Sequence, residues 1–91
     1  PNCVALPQDV STVAGCKALA DQFREHGAAL DILVNNAGTA WGEPFEQFPE
    51  KGWDKVMDLN LKSPFFLTQA LYPELKAAAR ADRPAKVINI T

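Results

Sequence analysis

Three asparagines, an aspartate and a badly placed proline carry the chemistry that this sequence can offer. In Asp31-Ile32-Leu33-Val34-Asn35-Asn36-Ala37-Gly38, an apolar run stops at two side-chain amides, a small residue and a glycine. An amide both donates and accepts hydrogen bonds, so Asn35 and Asn36 could hold a ribose hydroxyl or a peptide plane. Gly38 lets the backbone turn sharply or come close to a ligand. The same four residues also fit an ordinary strand exit. Asn60 sits on or beside an apolar helical stripe, and Pro64 follows four residues later. Proline has no N–H to give the carbonyl four residues back, so the carbonyl of Asn60 is left needing another partner, often a water. Pro73 does the same to Gln69. On composition alone, Asn60 reads as a structural amide bonding a neighbouring strand or loop. Asp9, after a short apolar run, can accept from an exocyclic amine or a hydroxyl.

These groups need elements to hold them. Val4-Ala5-Leu6 is a short strand candidate that ends at Pro7. Ser11 is the expected N-cap of an amphipathic helix carrying Val13, Cys16, Leu19, Ala20 and Phe23, with Gly27 as its C′ residue. Residues 29–34 read as a strand buried on both faces, since Ile32, Leu33 and Val34 run without polar alternation. Residues 39–50 form a loop with Gly42, Pro44 and Pro49, in which Trp41 lines a substrate site, packs at a subunit interface or packs under the loop. A helix is expected over 50–80, kinked or restarted at Pro64 and Pro73. After a polar turn at 81–85, Lys86–Thr91 is a third strand. The order β-α-β-α-β predicts an α/β fold, the central part of a doubly wound, Rossmann-like parallel sheet. Asp9-Val10, Asn35 to Gly38 and Thr91 would then share the sheet's carboxyl edge, where such folds bind nucleotides.

Bulk properties narrow the classes. The 91 residues have room for one small domain at most; they are 47% hydrophobic and 22% charged, which fits a globular chain. The net charge of −2 comes without a basic run, so no nucleic-acid partner is expected. No apolar stretch is long enough to span a bilayer, and no membrane partner is expected. Cys3, Cys16 and the single histidine, His26, suggest neither a disulfide framework nor a metal site, and the default compartment is the cytoplasm. A proline at position 1 and an apolar run reaching position 91 are expected of an internal piece of a longer chain.

Over essentially its whole length the sequence resembles the classical short-chain dehydrogenase/reductases. The matching segments are Asp9-Val10, Asn35-Asn36-Ala37-Gly38, Asn60-Leu61-Lys62 with Phe65-Phe66, and Val87-Ile88-Asn89-Ile90. Residues 31–42 and 52–61 are most similar to bacterial 3-oxoacyl reductases, including the rhamnolipid-pathway type. The resemblance implies that 1–91 is an internal fragment of a single dinucleotide-binding domain, and that NADP or NAD is the cofactor, NADPH slightly favoured. It implies that Asp9, helped by the Val10 backbone, contacts adenine, and that Asn35, Asn36, Ala37 and Gly38 support the sheet and line the ribose side. It makes Asn60 the asparagine of a catalytic Asn-Ser-Tyr-Lys tetrad, its main-chain carbonyl holding a water that feeds protons to the lysine.

The family's glycine-rich turn and its Tyr-x-x-x-Lys pair would lie outside these 91 residues. Tyr72 and Lys76 mimic that pair, but Pro73 lies between them and they fall on the wrong element. The implied activity is hydride transfer between NAD(P)(H) and a carbonyl or secondary alcohol, with a 3-oxoacyl thioester-type ketone as substrate, and the fragment alone is expected to be inactive. Sugar or polyol oxidation within the same family, or a truncated, non-catalytic dinucleotide-binding or scaffold protein, are the rival readings. The family also implies a homo-oligomer formed through the helix at 50–80.

Overall fold

Six regular helices and strands lie along the chain in the computed structural model, which describes residues 3–90; Thr91, the expected last residue of the third strand, falls outside the described residues. They are α1 (Val13–Arg24), β1 (Ile32–Asn35), α2 (Glu50–Met57), α3 (Ser63–Ala70), α4 (Tyr72–Ala78) and β2 (Lys86–Asn89). A single turn of 3-10 helix, Phe45–Gln47, precedes α2, and a π-helical turn, Asp58–Lys62, joins α2 to α3. β1 and β2 pair in parallel, Ile32 beside Lys86 and Asn35 beside Asn89.

The expected first strand is not formed: residues 3–10 join no ladder. A strand exists only where a neighbour takes its N–H and C=O groups, and the sheet here holds β1 and β2 alone. The expectation that β1 is buried on both faces is also corrected. Leu33 and Asn35 are buried, whereas Ile32 and Val34 are 53% and 51% exposed. Paired residues of parallel strands share a face, so Ile32 and Val34 share a face with Lys86 and Ile88, and on it Ile32, Val34 and Ile88 are bare, as is Ile90 just past the ladder. The opposite face packs under the helices. Cys16 and Ala20 of α1, Leu33 of β1, and Leu67, Leu71 and Leu75 from the α3–α4 segment form the core. Each leucine buried this way contributes about 1.5–3 kcal/mol.

Helix ends shift by small amounts from the sequence expectation. Thr12, not Ser11, caps α1: its Oγ1 accepts from the N–H of Gly15 at 2.9 Å. Ser11 is drawn away by Asp9, as described below. Gly27 does not take a left-handed C′ conformation, since no described glycine has positive φ; α1 closes instead through His26 and Gly27 N–H bonds to the Phe23 carbonyl. The long helix at 50–80 is divided as its prolines demand. Pro64 falls just after the π-turn, which widens the backbone where an α-helical donor is missing. Pro73 falls in the first turn of α4, where its lack of an N–H costs nothing, and Leu71 breaks the run with φ −97° and ψ 3°.

Candidate functional site

The amides of Asn35 and Asn60 have different duties. Asn35 is buried, and its Nδ2 donates to Asn89 Oδ1 at 2.8 Å and to Thr68 Oγ1 at 3.3 Å. Thr68 Oγ1 in turn donates to the Pro64 carbonyl at 2.6 Å. Asn35 thus ties both strands to α3, and its side chain is committed inward. The strand hands over to the loop one residue later: Asn36, Ala37 and Gly38 are all exposed at the carboxyl end of β1.

Asn60 grips that loop from the π-turn. Its Oδ1 accepts from the Thr39 N–H and its Nδ2 donates to the Thr39 carbonyl, both at 2.8 Å. The side chain therefore does what composition alone suggests, bonding a neighbouring loop. It also passes close under Gly38, where a Cβ would stand 3.0 Å from Asn60 Oδ1. It is this close approach, not a left-handed turn, that favours glycine at 38. Pro64 lacks the N–H that an α-helix would bring to the main-chain carbonyl of Asn60.

Asp9 and Val10 reach the same edge from the other side. The N–H and hydroxyl of Ser11 both donate to Asp9 Oδ1, at 2.9 and 2.6 Å. These bonds hold the Asp9 carboxyl below its ordinary pKa, chiefly through the hydroxyl. Both fall on Oδ1, which leaves Oδ2 as the acceptor to offer a ligand. The thiol of Cys16 donates to the Val10 carbonyl at 3.4 Å and lies 3.9 Å from the hydroxyl of buried Ser63; burial pushes that thiol's pKa up. Val10, Asn35, Asn36, Ala37, Ser63 and Pro64 share the walls of a cavity of about 180 Å³. The structure so brings Val10 together with Asn35, Asn36 and Ala37. Asp9 and Gly38 lie next in sequence to wall residues of this cavity, whereas Asn60 is not on its wall and bonds Thr39, two residues beyond Ala37.

Trp41 packs. Its ring lies against Gly52 of α2, where a Cβ would stand 2.9 Å from it, and its Nε1 donates to Glu43 at 2.9 Å. The ammonium groups of Lys51 and Lys55 lie 5.8 and 5.7 Å from the ring centroid, within cation–π range. Tyr72 and Lys76 sit on α4, and Tyr72 borders a separate apolar groove of about 440 Å³ with Phe65 and Val87. No group of candidate metal ligands occurs among the described residues, and no helix among them is long and apolar enough to cross a membrane.

Sequence reasoning assigned no part in this edge to Asn89, Thr68, Ser63 or Gly15. A signal existed for Asn89: each of the two apolar runs, Ile32–Val34 and Val87–Ile88, ends in an asparagine, and the register sets those two side by side. Gly15 signalled itself as a poor helix former inside a helical pattern.

A family model for short chain dehydrogenases matches residues 1–91. The chain belongs to this family. It is 52% identical over 89 residues to the rhamnolipids biosynthesis 3-oxoacyl-[acyl-carrier-protein] reductase of Pseudomonas aeruginosa, covering 98% of this chain and 35% of that protein. It is 40% identical over 87 residues to a 2-dehydro-3-deoxy-D-gluconate 5-dehydrogenase of Escherichia coli, covering 96% and 33%. Among solved structures it is similar to the Pseudomonas aeruginosa RhlG/NADP active-site complex, with a TM-score of 0.90 and 52% identity over 93% of this chain and 33% of that one. An NADPH-bound carbonyl reductase from chicken fatty liver gives a TM-score of 0.88 at 35% identity, over 100% and 38%. The chain spans about a third of the length of the curated relatives it matches. As a short-chain dehydrogenase it has the α/β, Rossmann-type architecture of these neighbours.

Proposed function

We propose that these 91 residues are the central part of a single dinucleotide-binding domain, and that the protein to which they belong is an NAD(P)-dependent oxidoreductase acting on a 3-oxoacyl thioester or a similar ketone. The observation that carries this reading is the cavity at the carboxyl edge of β1, where Val10 meets Asn35, Asn36 and Ala37, in a chain 52% identical to a 3-oxoacyl-carrier-protein reductase. The bare face of Ile32, Val34, Ile88 and Ile90 supports the view that further parts of the domain cover the sheet.

The residues present fit a dinucleotide. Asp9 Oδ2 would be the acceptor for the exocyclic amine of adenine, and the Val10 backbone would border the same ring. The exposed backbone of Asn36, Ala37 and Gly38 lines the ribose side, while Asn35 holds the edge in place from within. A bound nicotinamide supplies the hydride to the substrate carbonyl, or takes it in the reverse direction. The Asn60 carbonyl would accept a hydrogen bond from a water beside the site, and that water would pass protons inward, while the Asn60 side chain fixes Thr39. NADPH is the favoured form, in keeping with the NADP of the Pseudomonas aeruginosa neighbour, and NAD the second choice, as in the NAD complex of an NADH-dependent reductase at a TM-score of 0.83. Leu61, Phe65 and Tyr72 are exposed along one side of the α2–α4 segment, and a second copy of the subunit covers them in this reading. The cytoplasm suits its two free thiols, Cys3 and Cys16.

The test is an assay of the full-length protein with NADPH and NADH against a 3-oxoacyl thioester and, separately, a sugar acid or polyol with the oxidised cofactors. Thioester-dependent NADPH consumption is the expected result. Turnover of the sugar acid alone would move the substrate toward the gluconate dehydrogenases that the chain also matches. Absence of dinucleotide binding would leave a non-catalytic scaffold.

A further inference from the structure

We propose that Gly15 is a positioning residue for the adenine end of the cofactor, acting through the backbone of Asp9; this rests on the reading of Asp9 given above. Glycine is a poor residue for the first turn of a helix, and the backbone of α1 does not call for it, because its φ is not positive. What calls for it is the turn ahead of the helix. A Cβ on Gly15 would collide with the Asp9 carbonyl oxygen, stand 2.9 Å from the carbonyl carbon, and come within 3.1 Å of Thr12 Oγ1. A backbone carbonyl cannot swing aside as a flexible side chain can, so an added methyl group displaces the Asp9–Val10 turn.

Four hydrogen bonds hold that turn and the start of α1. Thr12 Oγ1 accepts from Gly15 N–H, Ser11 folds onto Asp9 Oδ1, and the Cys16 thiol donates to the Val10 carbonyl. The first turn of α1 is therefore the seat on which the Asp9 carboxylate is aimed, and hydrogen is the only side chain at position 15 that lets the seat close. Gly15 touches no ligand in this scheme; it sets where Asp9 Oδ2 lies.

The experiment compares Gly15→Ala with the wild-type full-length protein, using the complete reduced dinucleotide and reduced nicotinamide mononucleotide, which has no adenosine. The dinucleotide KM should rise about tenfold, the scale of one misplaced hydrogen bond to a charged group. The kcat at saturation and the KM for the mononucleotide should stay within twofold. In an Asp9→Ala background, Gly15→Ala should add nothing further. Equal losses with both nucleotides, or an unchanged dinucleotide KM in a folded variant, would overturn the proposal. Should Gly15→Ala fail to fold, Thr12→Ala loosens the same turn without a collision, and a dinucleotide KM unchanged in that variant would overturn it as well. If Asp9→Ala alone leaves the dinucleotide KM unchanged, the adenine reading fails and takes this proposal with it. If Asp9→Ala raises that KM and Gly15→Ala does not, only the role of Gly15 fails.

Discussion

The loop after β1 and the clasp between α1 and α4 are both pinned from a distance along the chain, but by opposite means. Around the loop the ties are neutral: Asn60 to the Thr39 backbone, and Asn35 to Asn89 and Thr68. Across the clasp they are charged. Arg24 Nε donates to Glu74 Oε2 at 2.9 Å and its second fork nitrogen to Glu74 Oε1 at 3.1 Å. The same guanidinium reaches Asp21 Oδ1 at 2.8 Å and the Ala70 carbonyl at 2.6 Å. The difference teaches where this chain tolerates a response to pH. A loop tied by amides keeps its shape as carboxylates titrate; the clasp between α1 and α4 does not.

The largest effect expected from breaking this contrast is at Asn60. Asn60→Ala releases both the N–H and the C=O of Thr39 while leaving the Asn60 carbonyl in place. A loop shifted by about 1 Å costs on the order of 10²-fold in rate, so kcat/KM of the full-length protein should fall by about that much, with its unfolding midpoint little changed. Asn60 is exposed and buries little when it bonds. An Asn60→Ala variant that loses stability and activity in proportion would show that Asn60 is a scaffold residue only. Asn60→Asp sharpens the test: it retains the acceptor for Thr39 N–H, loses the donor, and should fall between.

Asn35 should behave in the reverse way. It is buried, and Asn35→Ala removes the donor shared by Asn89 and Thr68. The expected cost is about 1–3 kcal/mol of stability, read from denaturant unfolding of the full-length protein, with KM for the dinucleotide following only as far as the sheet edge moves. A large rise in that KM without loss of stability would mean that the Asn35 side chain faces the ligand after all.

These two asparagines also mark how far the sequence could be read. The α/β class, the parallel pairing, the interruption at Pro64 and Pro73 and the gathering of Val10 with Asn35–Ala37 were legible, because each follows from local chemistry: an apolar run, a missing N–H, a strand end. The division of labour between Asn35 and its neighbours was not, because it depends on strand register, which sets Asn35 beside Asn89. The strand at Val4–Leu6 was misread for a related reason. Local propensity marks a strand, but only a partner's hydrogen bonds make one. The unbroken run Ile32–Val34 fits burial on both faces, yet one of those faces is bare among the described residues. The same bareness predicts that the isolated chain unfolds with little cooperativity and binds no dinucleotide. A sharp transition with micromolar affinity would contradict that.

The smallest effect lies at the charged clasp, and its sign is fixed by the shifted carboxyl. Glu74 is held below its ordinary pKa, first by the Arg24 hydrogen bond and further by the Arg24 charge. A carboxyl with a lower pKa folded than unfolded contributes stability that is complete above its unfolded pKa, about 4.3. That contribution is lost as pH falls through the unfolded value toward the lower folded one. Arg24 is shifted upward by the same partner, so its share fades only at extreme alkaline pH. In Glu74→Gln, unfolding free energy should therefore fall near neutrality and converge on wild type in acid, with a flatter slope below about pH 5. Some slope must survive, because Asp9 is lowered in the same sense by Ser11, and adding Asp9→Asn should remove part of it. The neutral ties of the loop supply the control. Asn35→Ala should lower the whole stability curve without changing its acid slope, since no titrating group is lost. If Asn35→Ala and Glu74→Gln flattened the curve alike, the division between a neutrally tied loop and a charged clasp would not hold.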